Sequence, residues 1–306
     1  MAHLKCIDNL LNEFAGRTPV RAGSLIISVF GDSISRHGNC VWLGSLINAL
    51  EPFGLNARQI RTAVFRLSKE GWLSARQVGR RSYYSFTDFG IRHYEKAARR
   101  IYAARRTEWD GTWTLVIPAF VFNQERDQLR RDLLWSGYGA ITPGVMAHPA
   151  ADRQSLDEIL HEHDAADKVA VLHAHSGEPA SRAALKRLAN ECWHLDELAL
   201  RYGKFLETFH PVMQPLKKAR RPDMDQCFQA RTLLIHEYRR IVLHDTDLPD
   251  ELLPADWAGR RAQALTASLY RLVHDRARQF IESELESVEG NLPPADAGYF
   301  QRFGGL

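Results

Sequence analysis

Between residues 24 and 87 the hydrophobic pattern changes period in an order that few folds accommodate: three short helical stripes, then two strand-like runs around a basic loop. Leu25, Ile26, Val29 and Phe30 recur at helical spacing before Gly31, and a polar turn is predicted over 32–39. Trp42, Leu43, Leu46, Ile47 and Leu50 make a second stripe, which Pro52 and Gly54 end. Asn56 is suited to cap a third helix, in which Ile60, Val64 and Leu67 follow at i, i+4 and i+7 until Gly71. Trp72 to Val78 and Ser82 to Thr87 then read as strands on either side of Gly79-Arg80-Arg81. Three helices and a hairpin with a basic tip, over 21–90, is the order of a winged helix-turn-helix.

Charge supports the same assignment. The net charge is only +3, but residues 1–106 hold 17 Lys and Arg against 7 Asp and Glu, and the remainder holds 23 against 30. A basic N-terminal module on an acidic body fits a chain in which one end meets a polyanion and the rest stays off it.

With Ile60, Val64 and Leu67 facing inward at 100° per residue, Arg58, Thr62, Phe65 and Lys69 point outward and Arg61 and Arg66 lie on the flanks. Arg can bond a guanine edge with two hydrogen bonds, Thr can touch a thymine methyl, and Lys or Arg can neutralise phosphates. The expected DNA-binding residues are therefore Arg58, Arg61, Thr62, Arg66 and Lys69 on the third helix, with Arg80, Arg81 and Tyr83 on the wing. Phe65 is expected to pack on a neighbouring element, because a large apolar group facing DNA is uncommon.

The remainder divides into further segments. Residues 1–20 read as an N-terminal arm and 91–110 as a solvated linker helix bearing Arg92, Lys96, Arg99, Arg100, Arg105 and Arg106. Over 111–178 the order is β-α-β-β-α-β, that of a ferredoxin-like domain. From 179 to 290 helix signals dominate, with candidates at 181–210, 223–243 and 256–288 interrupted by Pro and Gly, among them Pro211 and Pro215. The tail 291–306 is expected to be loosely ordered. The fold class is thus α+β and multidomain.

Catalytic signals are weak. His161, His163, Asp164, His173 and His175 invite a metal reading, since His-x-His on a strand points both rings to one face, but no HExxH or cysteine ligand set accompanies them and no metal is expected. A ferredoxin-like domain can cut nucleic acid when an acidic residue ends its first strand; here Pro118-Ala119-Phe120-Val121-Phe122 stands there. GxSxG, P-loop and GxGxxG motifs are absent, and no catalytic residue is assigned. Cys6, Cys40, Cys192 and Cys227 are far apart, which argues for reduced, structural thiols. No apolar run is long enough to span a bilayer and the N-terminus lacks the layout of a signal peptide, so a cytoplasmic protein is expected. His236, Tyr238, Arg239 and Arg240 with Trp257 and Arg260 mix rings and guanidinium groups in a way that suits an aromatic anion, and equally suits a helical bundle that buries Trp and exposes Arg.

Several motifs resemble a known family. Ser24-Leu25-Ile26, Gly31-Asp32-Ser33-Ile34, Val41-Trp42-Leu43-Gly44-Ser45-Leu46, Arg61-Thr62-Ala63-Val64-Phe65-Arg66-Leu67 and Gly79-Arg80-Arg81-Ser82-Tyr83-Tyr84 look like the phenylacetate-degradation repressors, the PaaX family. Trp109-Asp110-Gly111, Gly137-Tyr138-Gly139, Pro143-Gly144-Val145, His236-Glu237-Tyr238-Arg239-Arg240, Asp247-Leu248-Pro249, Leu252-Leu253-Pro254, Asp256-Trp257 and Leu269-Tyr270-Arg271 extend the resemblance over about residues 20–275. It implies a homodimeric repressor without catalysis or cofactor. Such a repressor binds double-stranded operator DNA of aromatic-catabolism genes, an imperfect palindrome, and releases it when an aryl-CoA such as phenylacetyl-CoA binds. The competing expectation is a metal-dependent nucleic-acid-processing enzyme built on the central domain; an acyl-CoA enzyme carrying a DNA-binding module is a third.

Overall fold

A computed structural model describes residues 2–17, 21–103, 109–176 and 181–306. Arg105 and Arg106, assigned to the linker helix, lie outside the described residues. The chain divides into two compact units: 1–105, 203–240 and 260–306 form the first, 106–202 and 241–259 the second.

In the first unit the segment expected as an arm forms α1 (Lys5–Ala15), which buries Ile7, Leu10, Leu11 and Phe14 at helical spacing. Then come α2 (Ala22–Val29), β1 (Val41–Trp42), α3 (Leu43–Leu50), α4 (Ala57–Lys69), β2 (Leu73–Val78), β3 (Arg81–Phe86) and α5 (Asp88–Ile101). The three strands pair antiparallel in the order β1-β3-β2. Helix α5 is no free linker, since Gly90, Tyr94 and Ile101 are buried.

The polar turn expected after Gly31 is instead a buried widening of the helix. Phe30–Ile34 forms a π-type turn, closed by the Ser35 amide donating to the Phe30 carbonyl at 2.7 Å, and all five residues are buried. Gly31 is required there by close approach, because a Cβ would stand 1.8 Å from the Tyr94 ring.

The second unit runs β4 (Thr112–Ile117), α6 (Asn123–Trp135), β5 (Gly139–Thr142), β6 (Val145–His148), α7 (Arg153–Glu162) and β7 (Ala170–His175), followed by α8 (Arg182–Trp193). Its sheet is antiparallel in the order β5-β6-β4-β7. Val116 and Met146 pack with Leu129 and Leu133 of α6 and Leu156, Ile159 and Leu160 of α7. Alternation sends Trp113 and Leu115 to the opposite face. There an apolar cavity of about 200 Å³ is lined by these two, Ile141, Ala174, Leu185 and Leu188.

The remaining elements are α9 (Leu195–Lys218), α10 (Met224–Val242), α11 (Ala258–Glu284), the two-stranded β8 (Glu286–Ser287) and β9 (Gly290–Asn291), and α12 (Ala297–Phe300). Pro211 and Pro215, expected to interrupt, lie inside α9. Each removes one helical hydrogen bond, while Phe205, Phe209, Val212 and Leu216 continue one buried stripe across them. The tail is ordered rather than loose: Tyr299, Arg302 and Phe303 are buried.

These C-terminal segments converge on Asp32. The Arg231 Nε lies 2.8 Å from Asp32 Oδ2, and Arg302 donates to the Asp32 carbonyl at 2.8 Å and to Oδ1 at 3.1 Å. Tyr102 and Tyr270 hydroxyls donate to the same Oδ1 at 2.6 and 3.0 Å. Burial pushes the Asp32 carboxyl up, and the two guanidinium groups with the two hydroxyls more than reverse this, so it is held below its usual value. Two buried cations face one carboxylate. The surplus is met by backbone carbonyls and ring faces, the Arg302 guanidinium standing 4.3 Å from the Tyr102 centroid and 4.9 Å from that of Tyr299. Among the described residues no helix is long and apolar enough to cross a membrane.

Candidate nucleic-acid interface

Helix α4 begins with a reciprocal cap: the Gln59 amide donates to the Asn56 side chain and the Asn56 amide to Gln59 Oε1, both at 2.9 Å. Ile60, Ala63, Val64 and Leu67 are buried, and α2 packs along them. Arg58, Arg61, Thr62, Arg66 and Lys69 are all exposed on the opposite side. Arg66 has Glu70 at 3.5 Å, an exposed contact of little energetic weight. Phe65 does not pack on a neighbour as expected; it is 63% exposed, with the Lys69 ammonium 5.6 Å from its ring centroid.

Val78 pairs with Arg81, leaving Gly79 and Arg80 as a two-residue turn, and Gly79 has φ of 59° as the first position of such a hairpin requires. Arg76 and Arg80 are exposed. Arg81 is engaged: its Nη1 donates to Glu286 of β8 at 2.5 Å and its guanidinium lies 4.2 Å from the Trp42 ring centroid. The assignment of Tyr83 to the wing's outer surface is corrected, since it is 5% exposed. Tyr83 lies on the middle strand of the three, directly opposite Trp42 of β1 and Arg76 of β2, so neighbours on both sides cover it.

The residues assigned to an aromatic anion differ in their exposure. His236 and Tyr238 are buried in the first unit, Trp257 is buried in the second, Arg239 and Arg260 are half-buried, and Arg240 is exposed with Glu237 at 3.4 Å. His236 Nδ1 is 2.9 Å from the Ser28 hydroxyl and Arg239 donates to Ser24 at 3.3 Å, which ties α10 to α2. Burial pushes the His236 imidazole down to about 3, assisted by Arg239, Arg240 and Arg17. The folded chain thus binds this proton far less readily than the unfolded one, so its contribution to stability is complete above about pH 6.5 and is lost as pH falls toward 3. At pH 5 the loss is expected to be about 2 kcal/mol at roughly 1.4 kcal/mol per pKa unit. Urea denaturation at pH 7 and 5 checks it, and His236→Gln should remove most of the difference.

The histidine cluster is dispersed into separate contacts. His163 lies 2.6 Å from Asp132, His173 is 3.4 Å from Thr114, and His175 bonds the Asp110 carbonyl at 2.8 Å. Among the described residues no group of three His, Cys, Asp or Glu side chains is arranged to hold a metal ion.

This arrangement has known relatives. The chain is 41% identical over 301 residues to the transcriptional repressor PaaX of Escherichia coli (strain K12), covering 98% of this chain and 95% of that one. It matches the PaaX-like protein family over residues 21–90, the PaaX protein central Cas2-like domain over 106–186, and the PaaX-like protein C-terminal domain over 193–283. The chain belongs to the PaaX family. The fold of this chain is similar to that of an uncharacterised Mycobacterium tuberculosis protein, Rv0674, at a TM-score of 0.56 and 23% identity, over 83% of this chain and 96% of that chain. In this PaaX-family repressor, the first matched segment carries the exposed basic face of α4 and the hairpin β2–β3, and the second is the Cas2-like unit around the β5-β6-β4-β7 sheet.

Proposed function

We propose that this chain represses genes of phenylacetate catabolism by seating α4 of a winged helix-turn-helix in the major groove. The carrying observation is the exposed face of α4, where Arg58, Arg61, Thr62, Arg66 and Lys69 stand opposite a fully buried apolar stripe. Arg58, Arg61, Thr62 and Arg66 read base edges. Lys69, Arg76 and Arg80 neutralise phosphates, and Arg81 joins them by exchanging Glu286 for a phosphate.

A homodimer would place two copies of α4 on half-sites one or two helical turns apart, so the operator is an imperfect palindrome. The β-α-β-β-α-β order and antiparallel sheet support reading the Cas2-like unit as ferredoxin-like. The effector is an aryl-CoA such as phenylacetyl-CoA, with Arg239, Arg240 and Arg260 as candidates for its phosphates, and release requires a coupling of about 1–3 kcal/mol. His236 and Tyr238, buried in the first unit, and Trp257, buried in the second, would act by holding their own units together. Such a repressor works in the cytoplasm, beside the chromosome. The nuclease reading has no observation in its favour, since the residues after β4 are Pro118-Ala119-Phe120.

Fluorescence anisotropy of the protein on the DNA upstream of its own gene, titrated with phenylacetyl-CoA and separately with phenylacetate, tests the reading. Release by the thioester alone is expected, at about 5- to 150-fold in affinity. Binding insensitive to both would discard the effector, and absence of specific binding would discard the repressor.

A further inference from the structure

We infer that Phe65 is a base-reading residue, whose ring packs on the 5-methyl group of a thymine in the operator's major groove. The inference rests on α4 entering that groove, and its test separates the two.

Phe65 is 63% exposed on a helix whose other large apolar residues, Ile60, Val64 and Leu67, are buried. At 100° per residue it lies about 30° from the centre of the exposed face, beside Arg58 and Lys69. Thr62 is three positions before it, Arg61 four before and Lys69 four after, so a cation or hydroxyl borders the ring along the helix in both directions. The Lys69 ammonium stands 5.6 Å from the ring centroid and covers one approach to it. A surface that meets this patch must offer negative charge around an apolar group. An apolar protein face meets the ring but offers no acceptor to Arg58, Arg61 and Lys69, which it would desolvate. The major groove offers both, with phosphates along its rims and, at each thymine, a methyl group projecting from its floor.

Deoxyuridine keeps the pairing edge of thymidine and lacks only that methyl. In anisotropy titrations on the upstream duplex, each thymidine of the bound segment is replaced in turn by deoxyuridine. Burial of one methyl is worth about fourfold in affinity. The wild-type protein is expected to lose about that factor at one position in each half-site. Phe65→Ala should lose at least as much on the unsubstituted duplex and become indifferent to deoxyuridine at that same position, while Phe65→Leu retains part of the sensitivity. Folding is not at stake, because the ring is exposed; circular dichroism of each variant verifies it.

If Phe65→Ala stays as sensitive as the wild type at every thymidine, or the wild type responds at none, the inference is overturned while specific binding by α4 stands. If Phe65→Ala weakens all sequences equally and lowers the mass found by sedimentation, the ring is a protein contact and the inference is likewise overturned. Absence of specific binding by the wild type overturns both.

Discussion

Replacing Arg302 with alanine is expected to destabilise the chain by about 3–5 kcal/mol, the penalty for breaking a buried charge network by removing one partner. Arg302 is 5% exposed and donates to the Asp32 carbonyl, its carboxylate and the Tyr270 hydroxyl oxygen, so its loss leaves each of these buried acceptors short of a donor. Arg231 still neutralises Asp32 in that variant. Asp32→Asn is expected to be as harmful for the opposite reason, since it strands two guanidinium groups in the interior. Urea denaturation reads both, as a lower midpoint at unchanged slope. A change below about 1 kcal/mol in Arg302→Ala would show that the tail is not held by this network. Because the Asp32 carboxyl is held below its usual value, its contribution is complete above the ordinary carboxyl range and lost only as pH falls below it.

The double variant Arg58→Ala with Arg61→Ala should lose about 2–6 kcal/mol of operator affinity, if each arginine bonds a base edge worth roughly 1–3 kcal/mol and the two add. Both side chains are exposed and the inward face of α4 is untouched, so stability should change by less than about 0.5 kcal/mol. Affinity for unrelated duplex should fall much less. Equal loss on all sequences, with a shallower dependence on salt, would reassign both arginines to phosphates.

The helix proposed to enter the groove was legible within a residue or so. Asn56, the Ile60-Val64-Leu67 spacing and Gly71 bound α4, and the outward phase of its arginines follows from 100° per residue alone. The hairpin and the strand and helix order of the second unit were legible for the same reason, since each is a local period bounded by Gly or Pro. Helix α1 carried an equally clear signal in Ile7, Leu10, Leu11 and Phe14, whose spacing is that of one helical face.

Other features had no local signal. Asp32 followed a glycine and looked like a surface turn, because its partners Arg231 and Arg302 are about 200 and 270 positions away. The tail looked loose for the matching reason. Tyr83 and the buried members of the C-terminal aromatic and arginine set could not be told from surface residues, since an amphipathic side chain is placed by what covers it. Phe65 is the converse, an apolar residue expected to be covered and left open.

Local periodicity, caps and turn residues were therefore enough to define helices, strands, their order and the basic face of α4, because those depend on neighbours a few positions apart. Burial of charge, the engagement of Arg81 by Glu286 and the anchoring of the tail depend on long-range partners. Desolvation and pairing act through space, and the linear chain does not record which residues that space brings together.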